Sequence, residues 1–149
     1  MSVPGAALIA ILLAIAALHF SWGVGNVWPG HDSNSLRETV AGTARGPMYG
    51  FWACAMVAGA LAAAAAIVWA RHSPLMESSL RWVILAGYAV LILVFAARGL
   101  AAYVSPVFEY ARGRPFFELN LWLYAPLCLL IAALYVLDFP RGRVVAEGV

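Results

Sequence analysis

In Ala16-Ala17-Leu18-His19-Phe20-Ser21-Trp22-Gly23-Val24-Gly25-Asn26-Val27-Trp28-Pro29-Gly30, an apolar run gives way to a polar loop. His19, Trp22 and Asn26 stand at i, i+3 and i+7, which is one face of a helix. The run leading into this stretch starts near Val3. It is long enough to cross a bilayer, which takes about 20 residues. A histidine about to leave a membrane needs polar company, so its partners must come from elsewhere in the chain.

Composition supports the membrane reading. The chain has 149 residues, 64% of them hydrophobic and 11% charged, whereas a soluble domain carries about 25% charge. All nine basic residues are arginine, and they are scattered, giving a net charge of only +2. That pattern argues against nucleic acid as a partner. Cys54 and Cys128 lie inside apolar segments, with no C-x-x-C and no Cys/His spacing of a zinc or redox motif. The opening Met1-Ser2-Val3-Pro4-Gly5 lacks the basic residues of a secretory leader, so the first run is expected to be a retained span.

Four spans follow from the apolar runs, over about 3–24, 47–70, 82–104 and 116–137. The expected fold is an all-α four-helix transmembrane bundle, with residues 1–149 as a single integral membrane domain. Arg45-Gly46-Pro47 punctuates entry to the second span, Ser105-Pro106 stops the third, and Asp138-Phe139-Pro140 ends the fourth. In the first loop, Ser35-Leu36-Arg37-Glu38 has capping-box spacing, which fits a short helix near Leu36 to Ala41 as well as it fits a solvated loop. Ala6, Ala10, Ala14 and Ala17, and again Ala55, Gly59 and Ala63, form small-residue stripes suited to packing span one against span two. The same stripes would also permit a homo-oligomer. Four spans put both termini on one side. Arg71, Arg81, Arg141 and Arg143 lie there in shorter segments than Arg37, Arg45, Arg112 and Arg114 opposite. Both termini are therefore expected in the cytoplasm, with the protein in the cell's inner membrane.

Following the direction of each span gathers the polar residues. His19 and Arg98 each lie about 9 Å inside the loop-one boundary, Glu118 about 3 Å, Asn120 about 6 Å and Tyr124 about 12 Å. The half nearer the termini offers nothing comparable. A lone arginine in hydrocarbon costs at least about 2.5 kcal/mol, so Arg98 is expected to snorkel, to pair or to serve a functional role. Glu118 is the expected partner, because a carboxylate takes a guanidinium bidentately. His19 is either a packing histidine bonded to Asn120 or Tyr124, or a proton carrier and ligand contact.

Asn120, Tyr124 and Cys128 share one face of span four. Cys54 and Cys128 lie about 10 Å and 18 Å deep, a gap that argues against a disulfide. A second axial ligand at matched depth is missing, which argues against haem, and no metal or other cofactor is expected. Trp22, Trp52 and other aromatics crowd the same leaflet. Most of them suit an interfacial belt, and the excess suits an aromatic-rimmed pocket. Span one has no carboxylate of the kind that small drug/proton antiporters use.

His19-Phe20-x-Trp22-x-x-Gly25 with Pro29, and Asn120-x-x-x-Tyr124-Ala125-Pro126-Leu127-Cys128, resemble the first and last spans of a bacterial domain-of-unknown-function family of small four-helix integral membrane proteins. The pattern departs at Ala125, where a serine is expected. The resemblance implies a four-span bundle and gives weight to the His19/Trp22 and Asn120/Tyr124 ends. It implies no activity.

The leading functional expectation is a membrane protein that binds, or helps transport, a small lipophilic or weakly anionic ligand. His19, Trp22, Asn26, Trp52, Arg98, Glu118, Asn120 and Tyr124 would form its site. One alternative is an intramembrane enzyme with His19 as general acid/base. Another is a structural accessory subunit of a membrane complex. The partners expected are the lipid bilayer and such a ligand, not nucleic acid.

Overall fold

Ser2 caps the first helix, its Oγ accepting from the Gly5 N–H at 3.0 Å, with Pro4 in the first turn where a missing N–H costs nothing. This helix, α1, runs Val3–Gly23. Beyond it Gly25 takes a φ of 98°, a conformation that side-chain-bearing residues avoid. The computed structural model describes residues 1–43, 50–104 and 107–139. The expected punctuation at Arg45-Gly46-Pro47, Ser105-Pro106 and Pro140, and the tail arginines Arg141 and Arg143, lie outside the described residues.

A short helix, α2 (Ser33–Val40), follows in the loop. Its cap lies earlier than the expected Ser35/Glu38 pair. Asp32 is the N-cap and Ser35 its reciprocal partner: the Ser35 N–H donates to Asp32 Oδ1 at 2.7 Å, and the Asp32 N–H donates to Ser35 Oγ at 3.0 Å. The backbone N–H of Ser35 holds the Asp32 carboxyl below the usual carboxylate range. Both residue pairs have three-residue spacing, and the aspartate is the stronger acceptor at the helix start. Leu36 then docks, fully buried, against Trp22 and Cys54.

The remaining long helices are α3 (Phe51–Arg71), α4 (Arg81–Leu100) and α5 (Pro115–Asp138). A 3-10 turn, Pro74–Glu77, links α3 to α4. Among the described residues all regular structure is helical, and four helices are long and apolar enough to cross a membrane. Their most apolar windows have mean hydropathies of 1.9 to 2.3, yet only 17–28% of each window is buried in the bundle. That outward apolar surface would be intolerable in water and matches a bilayer, as in a multi-pass membrane protein.

α1 packs along α3 and α4 along α5, and the two pairs meet through α1–α5 and α3–α4. One end of the bundle is an apolar core of Leu8, Leu12, Ala64, Ala65, Val68, Ile84, Tyr88, Ile131 and Tyr135. Leucines of α1 fill the space left by alanines of α3. The small-residue stripes do not make this contact. Ala6, Ala10, Ala14, Ala17, Gly59 and Ala63 are exposed, and the space around Gly59 is open. Large-against-small interdigitation buries more apolar surface than two flat faces of alanine. At Gly99 close approach is essential, because an added Cβ would lie 2.7 Å from Leu129 of α5.

α5 is not a uniform α-helix. Residues Asn120–Tyr124 form a π turn, in which the Ala125 N–H reaches back to the Asn120 carbonyl. Pro126 explains its position. It has no N–H for the carbonyl of Trp122, and a wider turn just before it absorbs the missing bond.

Candidate functional site

Away from the apolar core, the four long helices line a half-open cavity of about 810 Å³ towards the end that carries α2. Ile15, Leu18, His19 and Trp22 line it from α1, and Ala53, Cys54, Val57 and Leu61 line it from α3. Phe95 and Arg98 come from α4, and Leu123, Tyr124, Leu127, Cys128 and Ile131 from α5. Trp28, Pro29, Val40 and Ala41 complete the wall from the loop and the end of α2. The volume is in the range of small-molecule sites, and the wall is mainly apolar with a few polar groups, as such sites are.

The polar groups have defined roles. His19 Nδ1 lies 2.9 Å from the carbonyl oxygen of Ile15, one turn back. A carbonyl only accepts, so Nδ1 carries the hydrogen, and in neutral His19 the lone pair sits on Nε2. The Trp22 ring lies 4.9 Å from the imidazole, and its indole N–H donates to the Trp28 carbonyl at 2.6 Å. Tyr124 donates its hydroxyl to the Thr39 carbonyl at 3.1 Å, tying α5 to α2. Arg98 donates through Nη2 to Asn120 Oδ1 at 2.8 Å, and its guanidinium lies over the Phe108 ring at 4.8 Å. Asn120 is 1% exposed. Among the described residues, Arg98 Nη1 and Asn120 Nδ2 are buried without an acceptor, so this corner has more donors than acceptors.

Of the expected site residues, His19, Trp22, Arg98 and Tyr124 share the cavity wall, and Asn120 orients Arg98 from behind. Three others do not join them. Glu118 is exposed and forms no ion pair with Arg98. It stands two residues from Asn120, and i and i+2 face opposite ways on a helix, so burying Asn120 turns Glu118 outward. Trp52 is 78% exposed and packs edge-on against Phe51 on the outer surface. Asn26 is exposed and shapes the loop, its Oδ1 accepting from the Trp28 N–H at 2.9 Å. Its distance in sequence from His19 carries it past the end of α1, where helical spacing no longer applies.

Cys54 and Cys128 line the same cavity and are not joined by a disulfide. No group of three His, Cys, Asp or Glu side chains is placed to hold a metal ion among the described residues.

The opposite end of the bundle, where the sequence offers no comparable polar group, holds a buried cluster of its own. Asp138, the last residue of α5, is 2% exposed and touches every other long helix. Its carboxylate accepts from Tyr88 Oη of α4 at 2.7 Å and from Ser2 Oγ, the cap of α1. His72 Nε2, at the end of α3, is 3.2 Å from both carboxylate oxygens, and Arg71 Nε is 3.7 Å from Oδ2. Gly5 makes room for this knot, since a Cβ there would sit 2.7 Å from His72 Nε2. A carboxylate just before Phe139-Pro140 reads in sequence as an ordinary helix end. Tyr88, a hydroxyl in the middle of an apolar span, was the available hint of a buried partner.

The chain belongs to the DUF3995 family, described as a protein of unknown function, whose model matches residues 12–135. No curated protein and no solved structure matches it.

Proposed function

We propose that the cavity binds a small lipophilic molecule with an anionic or strongly electron-rich head, and that the protein holds it or helps to move it within one leaflet. The supporting observation is Arg98. It is a permanent cation on the cavity wall, and its hydrogen-bond partner, Asn120, is neutral. A guanidinium kept at membrane depth without a carboxylate is costly, and such residues commonly mark a ligand path. The apolar wall of Leu18, Leu61, Phe95, Leu127 and Ile131 suits the body of the ligand. We further propose that residues 1–149 work as one unit in a cytoplasmic membrane with both termini on the cytoplasmic face. Arg71 and Arg81, at the two ends of one short loop, support that orientation.

The test is extraction of the protein purified in mild detergent, with mass analysis of co-purified amphiphiles. Wild type should carry an acidic amphiphile in roughly stoichiometric amount, and Arg98→Gln should lose most of it, about tenfold or more in affinity. Equal recovery from wild type and Arg98→Gln would overturn the proposal.

A further inference from the structure

We propose that the cavity takes its ligand as a lipophilic monocarboxylic acid, which passes its proton to His19 Nε2 on binding and stays bound as the carboxylate. This rests on reading the cavity as a ligand site. It goes further by naming the head group and the base.

The tautomer of His19 is decisive. Ile15 fixes the hydrogen on Nδ1, which leaves Nε2 as the acceptor. Among the described residues Nε2 has no protein donor, and His19 lines the cavity. Other titratable or charged groups face the cavity from each surrounding helix: Cys54 from α3, Arg98 from α4, and Tyr124 and Cys128 from α5. The loop residues Trp28 and Pro29, and Val40 and Ala41 at the end of α2, add none. Among the described residues, the wall therefore holds one fixed cation, one nitrogen base and no carboxylate.

These groups select a head that offers a proton to Nε2 and oxygen acceptors to Arg98. An alcohol offers no proton that imidazole can take, an amine is repelled by Arg98, and an ester has nothing to give Nε2. A doubly charged phosphate monoester would face a single guanidinium in an otherwise apolar wall. A carboxylic acid satisfies both groups, and one guanidinium matches one carboxylate bidentately. Entry as the neutral acid also avoids taking a bare charge out of water. The step balances without a co-reactant. The acid O–H bond breaks and an Nε2–H bond forms, so the carboxylate lies between Arg98 and the imidazolium, with the total charge of the site unchanged.

Proton counting on the full chain in detergent tests this. Palmitate is titrated calorimetrically at about pH 8 in two buffers of different ionisation enthalpy. Because palmitate then arrives as the anion, wild type should take up about one proton per ligand. Methyl palmitate and hexadecanol should bind at least about tenfold more weakly. His19→Gln keeps a donor for the Ile15 carbonyl and should take up no proton, with affinity reduced about tenfold. Tight palmitate binding without proton uptake in wild type, or unchanged uptake in His19→Gln, would overturn the inference while leaving the cavity as a site for anions. Methyl palmitate binding as tightly as palmitate would overturn the acid head group. Failure of wild type to bind palmitate or any other amphiphile would sink the cavity reading itself.

Discussion

The Arg98 guanidinium donates to Asn120 Oδ1 at 2.8 Å, and the residue expected to neutralise it, Glu118, faces out of the bundle. An amide orients a cation without cancelling its charge. Asn120→Asp would cancel it in nearly the same shape, setting a carboxylate against Arg98. We predict that this variant melts at the wild-type temperature or higher, while its affinity for an acidic amphiphile falls about tenfold or more. Thermal melting and binding titrations on one preparation check both halves. A lower melting temperature with unchanged binding would argue that the Arg98–Asn120 contact serves only to hold α4 against α5.

Asp138 should matter for stability and not for the cavity. Asp138→Ala removes the shared acceptor of Ser2, His72 and Tyr88 and leaves Arg71 facing an emptied site. Breaking a buried, charge-paired group in this way costs about 3 kcal/mol or more. Tyr88→Phe removes one donor and should cost about 1 kcal/mol. Melting curves in detergent should rank wild type above Tyr88→Phe, and that above Asp138→Ala, with ligand affinity unchanged in whatever protein remains folded.

Gly99 sets the spacing of α4 and α5 and should tolerate nothing larger. At Gly99, a Cβ would meet Leu129 at 2.7 Å and the Ala125 carbonyl at 3.1 Å, both on α5. Gly99→Ala should therefore cost about 1–3 kcal/mol as an overpacking change. Gly59, with open space around it, is the control: Gly59→Ala should be neutral or slightly stabilising, because alanine favours the helix. Equal losses at the two positions would contradict the packing described for α4 and α5.

The two cysteines report on the cavity directly. Both line it, so a membrane-permeant maleimide should label Cys128 slowly and reach Cys54, which is 4% exposed, more slowly still. Prior occupation by an acidic amphiphile should protect Cys128. Labelling followed by peptide mass analysis checks this, and protection by ligand in wild type but not in Arg98→Gln is the expected result.

Long-range features were legible where one-dimensional spacing carries the signal. Runs of about 20 apolar residues declare membrane-spanning helices, and counting along each run put His19, Arg98, Asn120 and Tyr124 at one end of the bundle. What spacing cannot give is rotation. Glu118 and Asn120 are close in depth, and only the packing of α5 decides which one turns inward. The alanine stripe of α1 looked like a contact face, yet the leucines at Leu8 and Leu12 bury more surface and claimed that role. Asp138 was hidden for a different reason. Its partners Ser2, His72 and Tyr88 are distant in sequence, and each alone reads as a cap, a loop residue or one aromatic within an apolar span.

The central claim is that an acidic amphiphile sits in the cavity against Arg98. Photo-crosslinking with a diazirine-bearing palmitate analogue, followed by peptide mapping, tests it most directly. Adducts should concentrate on cavity residues such as Leu18, Val57 and Leu127, and should be lost in Arg98→Gln. Adducts spread over outward-facing residues such as Val90, Leu93 and Leu130, with the same yield in Arg98→Gln, would contradict it.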